Sequence, residues 1–104
     1  MSEQAPIAVL GAGSWGTALA ILLAHAGRPV TLWARKATQL ADMAQARSNP
    51  AFLPDIPFPS SLIPAQSNDL RSLANFEHYL VVVPSHAFRE TLNKLAQARR
   101  DEGL

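Results

Sequence analysis

Three glycines at fixed spacing mark the part of this sequence best suited to chemistry. Residues 11–16, here called the glycine loop, read GAGSWG, a G-x-G-x-x-G pattern between a short apolar run and a helix-forming run. Gly11 lets the chain turn tightly as it leaves a strand, Gly13 leaves room for a pyrophosphate at the backbone, and Gly16 lets the helix pack near the sheet. Free N–H groups of the first helical turn then face the phosphates. The context predicts a phosphate-binding loop, and a glycine-rich turn without a ligand is the weaker interpretation.

Two side chains inside the glycine loop extend the expected binding surface. Ser14 offers a hydroxyl donor to the phosphates. Trp15 offers a flat apolar surface that would cover a bound ligand. We therefore include both residues with the glycines as candidate cofactor contacts.

A third group of candidates follows the apolar run Val30–Trp33. An acidic residue just after the second strand of a dinucleotide-binding unit binds the 2′-hydroxyl of NAD. This sequence has Arg35 and Lys36 there and no carboxylate. Two cations favour a 2′-phosphate, and a guanidinium can also stack on adenine. We expect NADP (as NADPH) to be preferred over NAD; a solvated basic turn is the alternative.

The elements that must position these residues follow from the apolar pattern. Strands are predicted at Ile7–Leu10, Val30–Trp33, Leu62–Ala65 (an edge strand, because it contains Pro64) and Tyr79–Val83. Helices are predicted over Thr17–Ala26, Thr38–Arg47, Ser67–Ala74 and from Ser85 to about Arg100. The order predicts an α/β fold: a Rossmann-type doubly wound parallel sheet, truncated to about four strands in the order 3-2-1-4.

The crevice of such a sheet lies at the carboxyl ends of its strands. Phe88 follows the strand Tyr79–Val83, so we place it at the nicotinamide side of the cofactor; ordinary helix packing is an equally good interpretation. The three histidines are scattered and show no metal-ligand spacing. We therefore assign no catalytic residue and no metal site.

Composition sets the broad class of the chain. It has 104 residues, 48% hydrophobic and 16% charged, which is typical of one folded globular domain. A net charge of +1 does not indicate a nucleic-acid partner, and no apolar run is long enough for membrane insertion. The chain has no cysteine, which excludes thiolate chemistry and fits a cytoplasmic location.

Three segments carry a resemblance to a known family. They read GAGSWGTALA at Gly11–Ala20, NPAFLPDIPFP at Asn49–Pro59 and LVVVPSHAF at Leu80–Phe88. These segments resemble bacterial NAD(P)-dependent glycerol-3-phosphate dehydrogenase. That family has serine and an aromatic residue inside the glycine loop, and an asparagine followed by aromatic-Leu-Pro. The similarity extends from Ala5 to about Ala96.

The resemblance implies a cytoplasmic oxidoreductase that interconverts dihydroxyacetone phosphate and sn-glycerol 3-phosphate for phospholipid synthesis. The family's cofactor contacts correspond to Ser14, Trp15 and Arg35 of this sequence. Its catalytic and substrate-binding lysines have no counterpart up to Leu104. We therefore expect residues 1–104 to be an N-terminal NAD(P)-binding domain without the helical substrate domain, and to be inactive alone.

Two other interpretations stay open at this point, together with one expectation about partners. The chain could be a fragment of a related reductase of the ketopantoate or 6-phosphogluconate type, although Asn49–Pro59 argues against it. It could also be a free-standing NAD(P)-binding sensor or regulatory module. In a four-stranded sheet Tyr79–Val83 would form an edge with unpaired backbone groups, so we expect self-association through this strand.

Overall fold

A four-stranded parallel sheet forms the centre of the computed structural model, which describes residues 5–104. The strands are β1 (Ile7–Leu10), β2 (Val30–Trp33), β3 (Leu62–Pro64) and β4 (His78–Val81). They are hydrogen-bonded in the order β3-β2-β1-β4, and every pair is parallel. The predicted α/β fold and its 3-2-1-4 strand order are confirmed.

The strands are flanked by three α-helices and one 3₁₀ helix. These are α1 (Ser14–His25), α2 (Ala37–Ala46), the 3₁₀ helix (Leu70–Leu73) and α3 (Ser85–Asp101). α1 contacts β1, β2 and β3, whereas α3 packs against the 3₁₀ helix. No helix within residues 5–104 combines the length and the apolar run needed to cross a bilayer.

The start of α1 corrects the sequence prediction. We expected the helix to begin at Thr17, but it begins at Ser14, so half of the glycine loop is the first helical turn. The N-terminal turn tolerates Gly16 because its N–H needs no partner within the helix. At the other end Gly27 adopts a φ of +99°, the left-handed conformation that was expected there.

The segment before β4 also differs from the prediction. Ser67 was expected to begin a helix reaching Ala74, but the helical part is a single 3₁₀ turn capped by Asp69. The Asp69 carboxylate accepts a hydrogen bond from the Arg71 backbone N–H at 2.9 Å. The Ser67 hydroxyl instead accepts the Asp69 N–H at 3.0 Å, which forms a turn before the helix.

The core lies on both faces of β1 and β2, which explains their uninterrupted apolar runs. All four residues of β1 are buried, and α1 covers them with alanines and Ile21.

On the opposite side Arg99 ties α3 to the chain before β4: its Nη1 donates to the carbonyls of Ala74 (2.9 Å) and Phe76 (2.8 Å). β4 itself is only half-buried, and within residues 5–104 it pairs with β1 alone.

Candidate functional site

A cavity of about 670 Å³ lies at the carboxyl ends of β1, β2 and β4. Its wall combines the glycine loop, the last residue of β2 with the three that follow it (residues 33–36), residues 82–84 after β4, one side of α2 and residues 49–52. The first two groups contain seven of the eight residues predicted to bind a cofactor: Gly11, Gly13, Ser14, Trp15, Gly16, Arg35 and Lys36. The fold therefore brings these candidates to one site.

Two of the three loop glycines are required by contacts inside the protein. Gly11 has a φ of +122°, and a Cβ on it would lie 2.1 Å from the Val82 carbonyl oxygen. A Cβ on Gly16 would lie 1.8 Å from the Gly11 carbonyl oxygen. Real side chains do not tolerate such distances, so these two glycines allow the loop, α1 and the chain after β4 to pack closely.

Gly13 is different because no protein contact explains it. Its φ of −79° is open to any residue, and a Cβ built there would meet no atom within 4 Å. A glycine that the fold does not need, at the wall of a cavity, leaves space for a group that approaches the backbone. This vacant volume fits a phosphate.

The backbone around Gly13 supplies donors for such a group. α1 has no side-chain cap and no acidic residue in its first turn, and its first hydrogen bond runs from the Thr17 N–H to the Gly13 carbonyl at 3.0 Å. Within residues 5–104 no backbone acceptor takes the N–H groups of Gly13, Ser14, Trp15 or Gly16. Free N–H groups at the positive end of a helix dipole attract anions.

Two side chains that the sequence analysis did not assign to the site lie in the wall of the same cavity and hold this loop in place. Gln39 Nε2 and Asn49 Nδ2 both donate to the Ala12 carbonyl oxygen, at 2.8 and 2.9 Å. Asn49 is fully buried and also donates to Thr17 Oγ1 at 2.8 Å. Asn49 had been noted only as part of a resembling segment, and Gln39 carries no sequence signal at all.

The two cations after β2 lie at the cavity with their side chains free. Arg35 and Lys36 are exposed, and neither forms an ion pair with another residue in the described part of the chain. The Arg35 backbone is fixed because its carbonyl accepts Asn68 Nδ2 at 2.9 Å. Asp42 of α2 shares the same wall, so the local charge is one unit positive. Such a site suits an additional phosphate.

The aromatic residues divide between the cavity and the solvent. Trp15 lines the cavity and is 73% exposed, as expected of a residue that would cover a ligand. Phe52 also lines it and is exposed, although it was not predicted to do so. Phe88 lies outside the wall and is 44% exposed. Its contact with a cofactor stays a prediction that this geometry does not support, and it does not pack in the core either.

This geometry can be compared with known proteins. Residues 6–103 match the sequence profile of the family described as NAD-dependent glycerol-3-phosphate dehydrogenase N-terminus. The chain belongs to this family. It is 54% identical over 99 residues to glycerol-3-phosphate dehydrogenase [NAD(P)+] of Thioalkalivibrio sulfidiphilus, covering 95% of this chain and 29% of that relative. The corresponding protein of Legionella pneumophila strain Paris is 52% identical over 90 residues, 86% of this chain and 27% of its own length.

Solved structures agree with this assignment. The crystal structure of glycerol-3-phosphate dehydrogenase from Coxiella burnetii superposes with a TM-score of 0.84 at 42% identity, over 91% of this chain and 29% of that one. Glycerol-3-phosphate dehydrogenase of Plasmodium falciparum shares the fold, with a TM-score of 0.78 at 19% identity. The chain thus spans less than a third of the length of the relatives it matches. Membership of this family favours the dehydrogenase interpretation over a related reductase or a sensor module.

The other ionisable groups of this family member lie apart from the cavity. His25, His78 and His86 are exposed and outside its wall, and within residues 5–104 no three acidic or histidine side chains gather to hold a metal. A second cavity of about 400 Å³ between α3 and the 3₁₀ helix contains mixed charge. There, hydrogen bonds from Arg71 lower the pKa of the Asp69 carboxyl below its usual value.

Proposed function

We propose that residues 1–104 form the NAD(P)-binding domain of a glycerol-3-phosphate dehydrogenase that prefers NADPH. The observation that carries this proposal is the vacant volume at Gly13, in front of unpaired backbone N–H groups. No contact inside the protein requires a glycine at this position, whereas the close approach of a pyrophosphate to the backbone does require one. Residues 1–4 lie outside the described part of the chain, and the proposal does not depend on them.

Each part of the cofactor has residues that would hold it. The N–H groups of Gly13, Ser14 and Trp15 would bind the pyrophosphate, with Gly11 and Gly16 shaping the turn. Arg35 and Lys36 would bind the 2′-phosphate of NADPH. The nicotinamide half would extend toward residues 82–84, the remaining wall of the cavity.

The proposed reaction comes from the relatives that the chain resembles. Bound NADPH would supply a hydride, which reduces dihydroxyacetone phosphate to sn-glycerol 3-phosphate in the complete enzyme. The family name that the relatives carry supports this substrate pair, and the product is a precursor of phospholipids. A cytoplasmic location belongs to the same proposal, and a chain without cysteine is compatible with it.

Titration with NADPH and NADH, followed by tryptophan fluorescence, tests the proposal. Trp15 is exposed at the cavity, whereas Trp33 is 4% exposed and its Nε1 donates to the Asn68 carbonyl at 3.1 Å. Trp33 also lines the cavity, so the larger part of the signal, and not all of it, should come from Trp15. A Trp15→Phe variant should show a smaller signal but retain binding heat in calorimetry. Absence of saturable NADPH binding by both methods would refute the proposal.

We expect this chain alone not to oxidise NADPH in the presence of dihydroxyacetone phosphate. Reduction of a carbonyl needs a group that polarises or protonates its oxygen. Within residues 5–104 the only lysine at the cavity is Lys36, beside the expected adenosine half, and no histidine lies there. Loss of absorbance at 340 nm that depends on both the substrate and the pure chain would show that the active site has been misplaced.

We also propose that the chain self-associates through β4. The opposite edge strand, β3, is three residues long and contains Pro64, which blunts it, whereas β4 has four residues without proline and within residues 5–104 pairs with β1 alone. Val81→Lys should lower the average mass measured by light scattering at about 50 µM, a range in which exposed edges associate. Ile63→Lys, at the exposed middle position of β3, is the matched control and should leave the average mass unchanged. A monomeric wild-type chain would contradict the proposal.

A further inference from the structure

The carbonyl of Ala12 is held by two side-chain amides at once. Gln39 Nε2 donates to it at 2.8 Å from α2, and Asn49 Nδ2 donates at 2.9 Å from the turn that follows α2. A carbonyl oxygen has two lone pairs, so these two donors occupy both. The Ala12–Gly13 peptide is thereby fixed in one orientation.

That orientation determines where the Gly13 N–H lies. The described residues contain no cis peptide bond, and in a trans peptide the C=O and the following N–H lie on opposite sides. The Gly13 N–H therefore lies on the side away from Gln39 and Asn49. It has no backbone acceptor within residues 5–104 and stands beside the vacant volume at Gly13.

A loop with glycine at this point would rotate the peptide easily without such support. Gly13 has access to both signs of φ, so reversal of the preceding peptide meets little steric resistance. The reversed peptide would present the Ala12 oxygen, a partial negative charge, to the phosphates. The two donors fixed on the Ala12 oxygen oppose this reversal.

The environment of Asn49 indicates that its amide serves this purpose. The residue is fully buried; its Nδ2 also donates to the buried Thr17 hydroxyl at 2.8 Å. Its Oδ1 has no partner among the described residues, an arrangement that costs free energy. An apolar residue would fill the same space without that cost, but it would leave the Ala12 carbonyl with one donor fewer.

We propose that Gln39 and Asn49 are positioning residues that lock the Ala12–Gly13 peptide in its anion-accepting orientation and thereby set the affinity for the pyrophosphate of the dinucleotide. The inference rests on the proposed function. The two residues act through the backbone of the loop.

Gln39→Met is the principal test, because Gln39 is only half-buried and methionine preserves its length while removing the donor. We expect the Kd for NADPH to rise about three- to tenfold, the equivalent of one hydrogen bond. The Kd for adenosine 2′-monophosphate, which has no pyrophosphate, should stay unchanged. Gln45→Met, an exposed position on the same helix, is the matched control and should change neither Kd. Asn49→Leu should resemble Gln39→Met if it folds.

The NMR signal of the Gly13 amide supplies a readout that needs no ligand. In the free Gln39→Met protein this resonance should shift or broaden, because the peptide samples both orientations, and in Gln45→Met it should not. An unchanged resonance together with unchanged NADPH affinity would overturn the inference, and so would an equal loss of affinity for both ligands. If the wild-type chain fails to bind NADPH, the proposed function falls, and the amide signal alone decides whether the peptide is locked.

Discussion

Gly13→Val is expected to abolish measurable NADPH binding while the chain stays folded. A Cβ at this position meets no protein atom within 4 Å, and the φ of −79° suits any residue. Valine is a poorer N-cap than glycine, so the free energy of unfolding should fall by no more than about 1 kcal/mol. The two added methyl groups would occupy the space that a phosphate needs in front of the unpaired N–H groups. Calorimetric titration beside thermal denaturation measures both quantities.

Gly16→Val provides the contrast for that experiment. Its Cβ would lie 1.8 Å from the Gly11 carbonyl oxygen, so this variant should lose stability together with binding. Loss of binding with little loss of stability is therefore expected at Gly13 and not at Gly16. Wild-type affinity in Gly13→Val would show that no phosphate approaches the glycine loop.

Arg35→Asp is expected to erase or invert the preference for NADPH over NADH. A charge-assisted contact with a 2′-phosphate is worth about 1.5–3 kcal/mol, or roughly ten- to a hundredfold in affinity. The introduced carboxylate repels that phosphate and can accept the 2′-hydroxyl of NADH. Arg35 is exposed, so the fold should not change. The ratio of the two dissociation constants is the measurement.

Lys36→Asp is the control for Arg35→Asp and should reduce the preference less. A lysine acts as a point charge, whereas a guanidinium binds a phosphate through paired donors. If the wild-type chain binds NADPH and NADH equally well, Arg35 does not recognise the 2′-phosphate. It would then contribute by stacking on adenine.

The parts of the fold that sequence could predict are those determined by local pattern. β1 and β2 have the predicted bounds because a strand buried on both faces is a continuous apolar run, and Gly11 ends the first of them. β4 was predicted at Tyr79–Val83 but spans His78–Val81. Val82 and Val83 line the cavity instead, although the Val82 N–H still donates to the Leu10 carbonyl at 2.7 Å. An apolar run in the sequence does not show which of its residues belong to the strand and which line the cavity.

The site was predictable only where its residues stand in one segment. The glycine loop and Arg35 carry their own signals, in spacing and in charge. Gln39 and Asn49 do not, because their role depends on a carbonyl 27 and 37 positions earlier in the chain. The contact of Phe88 with a cofactor stays a prediction: the sequence placed Phe88 correctly on the helix after β4, but it could not give the direction of the side chain on α3.

These long-range hydrogen bonds also have a kinetic consequence. β1, α1 and β2 are consecutive and can associate early, whereas the bonds to the Ala12 carbonyl and the Thr17 hydroxyl close loops of 27 to 37 residues. Because these bonds attach α2 and the turn after it to the unit of β1, α1 and β2, we expect them to form after that unit has associated. Interactions that are absent from the transition state act on the unfolding rate. A ligand bound at the glycine loop would therefore slow unfolding and leave the folding rate almost unchanged.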